Sequence, residues 1–391
     1  MQGYFGYHRK LSVVMLASLM ILISLTLPGP VRMVKGLLVD TGVSPTANDS
    51  YLSIDAGRVA FLATGGIGVY DIASQSSAII SSPNGPCAGP SISDDKIVAA
   101  CGSNFNPTTL YSCTLPHTTP LQPCGPWTAV VSGLPSIQKL TYTVESSPQV
   151  SGDLVVYGLI NAFGYYRFSS GINTTVTLSY QPHTLSSNGA IIAFAGGTPE
   201  TIKYYDTSVA LGSRHIVDTG LPGEYASLSQ YTIAFNDLTT TPERVRYFDI
   251  LRNQSSSAGT GPVGNMTFRS SPSIWGNRIV FEISEVADGY DCNGDGTISS
   301  AQYCIGYWNI RYPGYAATTL APSAAPAVTN NGGGGSTVIY DNTIAFIGQN
   351  FHIQYVTVPM KGDVNLDGIV DSNDQGIVNG CLGQLLKGTM C

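Results

Sequence analysis

"SIDAGRVAFLA", Ser53–Ala63, decides the fold because the chain repeats it. The design returns as "SISDDKIVAAC" (Ser91–Cys101), "QVSGDLVVYGL" (Gln149–Leu159) and "LSSNGAIIAFA" (Leu185–Ala195). It returns again as "LSQYTIAFN" (Leu228–Asn236), "SIWGNRIVFEI" (Ser273–Ile283) and "VIYDNTIAFIG" (Val338–Gly348), seven copies in all. Each is a Ser-rich lead-in, a turn, and an apolar run that ends near an aromatic or small residue. A Tyr-rich run follows most copies: "GVYDI" (Gly68–Ile72), "KYYDT" (Lys203–Thr207), "RYFDI" (Arg246–Ile250), "GYWNI" (Gly306–Ile310) and "IQYVTV" (Ile353–Val358). Short runs of Val, Ile, Phe and Tyr bounded by Gly, Asn, Asp and Ser are strand and hairpin signals. Copies recur every 36 to 65 residues or so, near the roughly 40–50 of propeller blades with loop insertions.

The copies resemble the TolB-like and WD40-like repeats of exported proteins, over about residues 37–360. Two features depart from that pattern: a strict Trp-Asp dipeptide is absent, and "IVAAC" lacks the aromatic. The resemblance implies an all-β, seven-bladed β-propeller over residues 36–360, with any ligand at one mouth of a central channel. The fold by itself implies no function.

Three segments sit between copies: "LLVDTGVSP" (Leu37–Pro45), "AVVSGLPS" (Ala129–Ser136) and "HIVDTGLPG" (His215–Gly223). Each is an apolar strand, then Gly, then a Pro-containing turn, as expected of an outermost strand and the linker to the next blade. The first copy precedes every blade, and the last blade lacks an outer strand. Pairing Leu37–Thr41 with that blade would close the ring and hide its edges. The doubled Asp-Thr-Gly also resembles the signature of pepsin-like aspartic proteases. Three features exclude that reading. Asp40 lies too close to the expected mature terminus, Val43 and Leu221 replace the Ser or Thr that follows, and no flap hairpin with a matching Tyr is evident.

Composition agrees with strands and turns. Charged residues make up 11% of the 391, against 44 Gly, 23 Pro and 22 Tyr. A net charge of −7 excludes a nucleic-acid or anionic-membrane partner, which would want a basic surface. His8, Arg9 and Lys10 lead into the apolar run Leu11–Leu27, which Pro28 ends; residues 1–35 are expected to be a cleaved secretory signal, leaving no membrane segment. Eight cysteines in an exported chain predict disulfides, here between sequence neighbours: 87–101, 113–124, 292–304 and 381–391. Asn48, Asn173, Asn253 and Asn265 open glycosylation sequons.

The most specific motif is "GDVNLDGIVDSNDQGIVNGCLG", Gly362–Gly383. Asp363, Asn365 and Asp367 stand at positions 1, 3 and 5 of a twelve-residue calcium loop, and Gly368 makes the sharp turn at 6. Ile369 offers its carbonyl at 7, Asp371 acts at 9 through water, and Asp374 closes at 12. Gln375–Leu386 has the apolar spacing of a short helix. Residues 361–391 resemble one repeat of a dockerin, the module that plugs into cohesin domains. That resemblance assigns partner choice to Ser372 and Asn373. A second loop, "DCNGDGTISSAQ", puts Asp291, Asn293 and Asp295 at 1, 3 and 5, the Thr297 carbonyl at 7 and Gln302 at 12. The neutral Gln302 predicts weaker binding, which suffices where external calcium is about 0.1–1 mM.

No G-x-S-x-G, H-E-x-x-H or phosphate-loop motif occurs, and the histidines are scattered. The expectation is a secreted or cell-surface, Ca2+-binding propeller with a non-catalytic binding, adhesion or assembly role. Its partner would be a protein or a glycan, a second copy of itself, or a cohesin-like domain. An exported polysaccharide-active enzyme is the alternative.

Overall fold

A strand that is apolar at every position has to bury both faces, so each repeat needs a neighbour on either side. The computed structural model describes residues 38–46, 52–102, 108–118, 120–134, 147–209, 215–239, 244–257, 272–284, 303–310, 318–323, 337–348 and 351–358. All fall in one unit, Lys35–Cys391. Among them every regular element is a strand. The expected signal, the loop Asp291–Gln302 and residues 361–391 lie outside the described residues, so every predicted calcium ligand does too.

The strands follow the repeat. After β1 (Leu38–Asp40) come β2 (Leu52–Asp55), β3 (Arg58–Ala63), β4 (Gly66–Asp71) and β5 (Ser76–Ser81). Next are β6 (Cys87–Ser93), β7 (Lys96–Cys101), β8 (Thr109–Thr114), β9 (Thr128–Val131), β10 (Gln149–Ser151), β11 (Leu154–Leu159), β12 (Ala162–Arg167) and β13 (Ile172–Thr177). Then come β14 (Pro182–Ser187), β15 (Ile191–Gly196), β16 (Thr201–Asp206), β17 (Ile216–Ser229), β18 (Thr232–Asp237), β19 (Arg244–Asp249) and β20 (Gln254–Ser257). The last are β21 (Ser273–Trp275), β22 (Arg278–Ser284), β23 (Tyr303–Asn309), β24 (Thr318–Ser323), β25 (Val338–Tyr340), β26 (Thr343–Ile347) and β27 (Ile353–Thr357). All pairings are antiparallel meanders, with one exception to chain order: β1 is added to the edge of β27, Leu38 opposite Val356 and Asp40 opposite Gln354. The N-terminal strand thus completes the last sheet, as its sequence predicts.

The second strand of each repeat explains the stacking. In β11, Leu154 and Val156 pack with Ile192 and Phe194 of the following sheet, while Val155 and Tyr157 pack with Val98 and Ala100 of the preceding one. In β3, Val59 and Phe61 face Ala345 and Tyr355 of the last sheet, whereas Ala60 and Leu62 face Ile97 and Ala99. First sheet packs on last, and the ring is a β-propeller. The aromatic of the repeat (Phe61, Tyr157, Phe194, Phe235, Phe281) is turned toward the preceding repeat in each case and is fully buried. Burying such a ring stabilises by about 1.5–3 kcal/mol. Glycine stands opposite it in two sheets, Gly68 against Phe61 and Gly164 against Tyr157, and any Cβ there would collide with the ring. Where the second repeat has Ala99 instead, Leu115, Leu121, Trp127 and the Cys113–Cys124 bridge fill the same inter-sheet core.

The expectation of seven separate four-stranded blades needs correction. Five four-stranded sheets are separate, and the remaining strands make one seven-stranded sheet, β14 to β20. The cause is β17, 14 residues long, whose first part pairs with β16 and whose later part pairs with β18. The turn expected at "LPG" is therefore extended strand. Register shifts at Thr201/Lys203 and Glu224/Ser227 absorb the bend, with Gly220 (φ 70°) and Tyr225 (φ 55°) in left-handed geometry.

Two disulfides form as predicted, Cys87–Cys101 between β6 and β7 and Cys113–Cys124 beyond β8. They fit an oxidising compartment. The side chains of the other four cysteines lie outside the described residues.

Candidate functional site

The innermost strands β2, β6, β10, β14, β17, β21 and β25 all end in the turn that opens the next strand, so these turns gather at one mouth of the ring. Ala56, Asp94, Gly152, Gln230, Gly276 and Asp341 occupy the same turn position with φ of 46–55°. Asp, Asn and Gly tolerate this left-handed geometry in two-residue hairpin turns, and Asp94, Gly152, Gly276 and Asp341 fit that rule, whereas Ala56 and Gln230 adopt it without that preference.

The Ser-rich lead-in ties these strands together. Ser53 Oγ accepts the Ile92 N–H (3.1 Å), Ser91 that of Val150 (2.9 Å) and Ser186 that of Leu228 (3.0 Å). Ser227 accepts from Ile274 (3.4 Å) and Ser273 from Ile339 (3.3 Å). Each hydroxyl satisfies an innermost-strand N–H of the next repeat, a group with no ladder partner on that side. Two residues on, Asp55 accepts from Asp94 N–H, Ser93 from Gly152 N–H (3.0 Å) and Ser229 from Gly276 N–H (2.8 Å). Asn188 donates to Gln230 O, Arg278 to Asp341 O (2.5 Å), and the Tyr340 phenol hydrogen-bonds Asp55. The mouth is a framework of polar links from sheet to sheet. Sequence reasoning noted the serines without assigning them a task; their fixed offset from the turn was the available signal. Ser91→Ala would leave the Val150 N–H buried and unpaired, at a cost of about 1–3 kcal/mol in urea unfolding. A loss within a few tenths would refute this role.

The side chains offered to solvent at the mouth are few. Asp94, Gln230, Tyr231, Trp275 and Asp341 are exposed, and Tyr340 is half-buried. Trp275 and Tyr340 stack with ring centroids 4.3 Å apart. Burial pushes the Asp55 carboxyl above its usual range, and the Asp94 charge adds to this against the hydrogen bonds it receives. Burial also raises the Tyr340 phenol, with Asp55, Asp94 and Asp341 adding their charges.

The two Asp-Thr-Gly segments prove to be one structural device, used twice. Asp40 Oδ1 accepts the Gly42 N–H (2.9 Å), and Asp218 Oδ1 accepts that of Gly220 (2.9 Å). Thr41 and Thr219 each donate their hydroxyl to the carbonyl of the neighbouring strand, Ile353 O (2.7 Å) and Ile202 O (2.8 Å). Each also accepts the N–H two residues on. The aspartates stand on different outer strands, Asp40 beside His352 (3.0 Å) and Asp218 beside Lys203 (2.9 Å). Burial raises the Asp218 carboxyl, but the hydrogen bonds from Lys203, Gly220 N–H and Thr201 outweigh it and hold it below the usual range. The Asp of the Tyr-rich run is likewise structural. Asp71, Asp206 and Asp249 accept turn N–H groups from Ser74 (2.8 Å), Ser208 (2.8 Å) and Arg252 (3.0 Å).

Two further polar groups stand apart from the mouth. His183 meets Glu200 at 2.8 Å near the buried Lys203. Glu282 is buried between sheets with Thr337 donating to it (3.2 Å), and burial pushes its carboxyl up to about 8. Among the described residues no three His, Cys, Asp or Glu side chains converge as a metal site requires.

No family model and no curated protein matches the chain. Solved structures do. The tricorn protease aligns over 82% of this chain with 11% identity and a TM-score of 0.52; the chain spans about a third (34%) of that protein's length. The WD40 domain of Toxoplasma gondii coronin aligns over 84% of this chain and 86% of its own, at 10% identity and a TM-score of 0.49. TolB from Acinetobacter baumannii aligns over 77% and 76%, at 12% and 0.40. Identities this low show the propeller fold alone.

Proposed function

We propose that this is an exported, calcium-stabilised propeller of seven repeats that works by binding a protein partner at the mouth ringed by its inner turns. The carrying observation is the belt of sheet-to-sheet hydrogen bonds through those turns, which holds exposed side chains on a rigid frame. Preorganised surfaces bind without first losing conformational freedom. Seven copies of the repeat, each supplying one innermost strand, support counting the β14–β20 sheet as two blades that share β17.

The calcium ligands of this reading are Asp363, Asn365, Asp367, Ile369, Asp371 and Asp374 in the dockerin-like loop. Asp291, Asn293, Asp295, Thr297 and Gln302 form the weaker one. Bound ions stabilise the folded state by mass action. The thermal midpoint of the full chain is expected to rise across a calcium titration from about 0.01 to 10 mM, and an Asp363→Ala/Asp374→Ala variant should lose most of the rise. A flat midpoint removes the ion from the account.

For the mouth, the immobilised chain is exposed to the exported proteins produced alongside it. A partner retained by the native chain should be lost on Tyr231→Lys and kept on Ile79→Lys, which places the same charge on outer strand β5. Retention indifferent to Tyr231→Lys would move the binding surface elsewhere.

A further inference from the structure

Charge and aromatic surface coincide in one corner of the mouth, where β21, β25 and β2 end side by side. Trp275, 38% exposed, lies against Tyr340, and the Tyr340 phenol is tied to Asp55. Asp94 donates its backbone N–H to the same Asp55, and the Asp94 charge is near enough to raise the Asp55 carboxyl. Among the described residues neither Asp55 nor Asp94 has a cationic partner. Asp341 has Arg278, which reaches its carbonyl at 2.5 Å and its carboxylate at 3.6 Å.

We propose that this ledge, Trp275 and Tyr340 flanked by Asp55 and Asp94, binds the guanidinium of an arginine in an extended basic segment of a protein partner. The assignment rests on the reading of the mouth as a binding surface.

Three features of the corner select a cation. An indole face attracts one through its quadrupole, and arginine is the side chain that most often stacks there. Two carboxylates held together without a counter-charge repel each other, and a guanidinium between them removes the repulsion. The third is the donor count. The Tyr340 hydroxyl and the Asp94 N–H are spent on Asp55, and an Arg278 N–H is spent on Asp341. Beyond the Trp275 indole N–H and the remaining N–H groups of Arg278, the polar rim presents acceptors, so it complements a group that is all donors. Guanidinium has five N–H donors and no acceptor. A sugar hydroxyl both gives and takes, and would find few donors here. A divalent ion needs several oxygens at one point, and among the described residues no third acidic, His or Cys side chain joins this pair.

The test titrates the full chain with capped nona-arginine and with nona-citrulline, its neutral isostere. Calorimetry and tryptophan fluorescence follow binding at about 0.15 M salt, where diffuse attraction is screened. The arginine peptide should bind and the citrulline peptide should not. Trp275→Leu, which keeps an apolar contact with Tyr340, and Asp94→Asn should each weaken binding by about fivefold or more. Asp206→Asn removes the same charge from another blade and should change affinity less than about twofold. The proposal is overturned if the arginine peptide fails to bind, if both ledge variants bind normally, if Asp206→Asn weakens binding as much as Asp94→Asn, or if citrulline binds equally. Any of these outcomes, with the Tyr231→Lys retention result intact, removes the ledge assignment and leaves the binding mouth standing.

Discussion

A chain beginning at Ala47, and so lacking β1, is expected to melt about five degrees or more below the native chain and to associate through the exposed edge of β27. The lost interactions are specific. Three residue pairs of the β1–β27 ladder go, together with the Thr41 N–H to Ile353 O (3.1 Å), Ile353 N–H to Val43 O (2.8 Å) and the Thr41 hydroxyl bond (2.7 Å). Hydrogen bonds of this kind contribute about 0.5–1.5 kcal/mol each, so their sum is several kcal/mol, and each kcal/mol moves the midpoint of a domain this size by about one to two degrees. The edge left open is a pairing template for other chains. Val39 and Val43 also leave the core shared by the first and last sheets, which weakens the join on which ring closure depends. Thermal unfolding and size-exclusion chromatography measure both effects. A synthetic peptide of residues 36–46 should restore the midpoint and the monomer. An unchanged melt in the shortened chain would show that the ring is held without its N-terminal strand.

Glu282→Gln is expected to stabilise the protein at pH 8 and to do little at pH 4.5. Burial raises the native carboxyl from about 4.5 to about 8. Below the lower value it is protonated in both states and costs nothing electrostatically. Between the two the unfolded chain releases the proton and the folded chain keeps it. Stability therefore falls as pH rises, by as much as about 1.4 kcal/mol per pH unit, and levels off above the folded value. Glutamine keeps an acceptor for the Thr337 hydroxyl and carries no charge. Urea unfolding between pH 4.5 and 8.5 should show the downward slope flattening in the variant, with a gain on the order of several kcal/mol at the alkaline end. Parallel pH profiles for the two chains would mean that Glu282 is not held neutral by its surroundings.

Much of this molecule was legible before folding was considered. Apolar runs with no polar face call for strands buried on both sides, and seven spaced copies of such a run resemble the repeats of a propeller ring. The strand Leu37–Thr41, set before any blade, could be assigned to the last one because its design matched the other outer segments and that blade lacked a fourth strand. The disulfides 87–101 and 113–124 match the nearest-neighbour pairing expected from cysteines clustered in sequence pairs. Local rules carry this information, since a strand's alternation and a turn's left-handed residues depend on adjacent side chains.

The rest depended on contacts between residues far apart in the chain. Nothing local in "IVDTGLPGEYASLS" says that it continues as one strand through Gly220 and Pro222. Pairing with β16 on one side and β18 on the other keeps it extended. Nothing local makes Glu282 a neutral acid, because its burial comes from the sheet packed across it. Trp275 and Tyr340 are 65 residues apart in sequence and form one surface because their strands end side by side. The repeat, its strands and the place of β1 were readable in the chain's local pattern, because periodicity acts over a few residues. Which acids are buried, which are paired and which aromatics reach the mouth follows from packing between sheets, because desolvation and charge depend on what lies across the sheet interface.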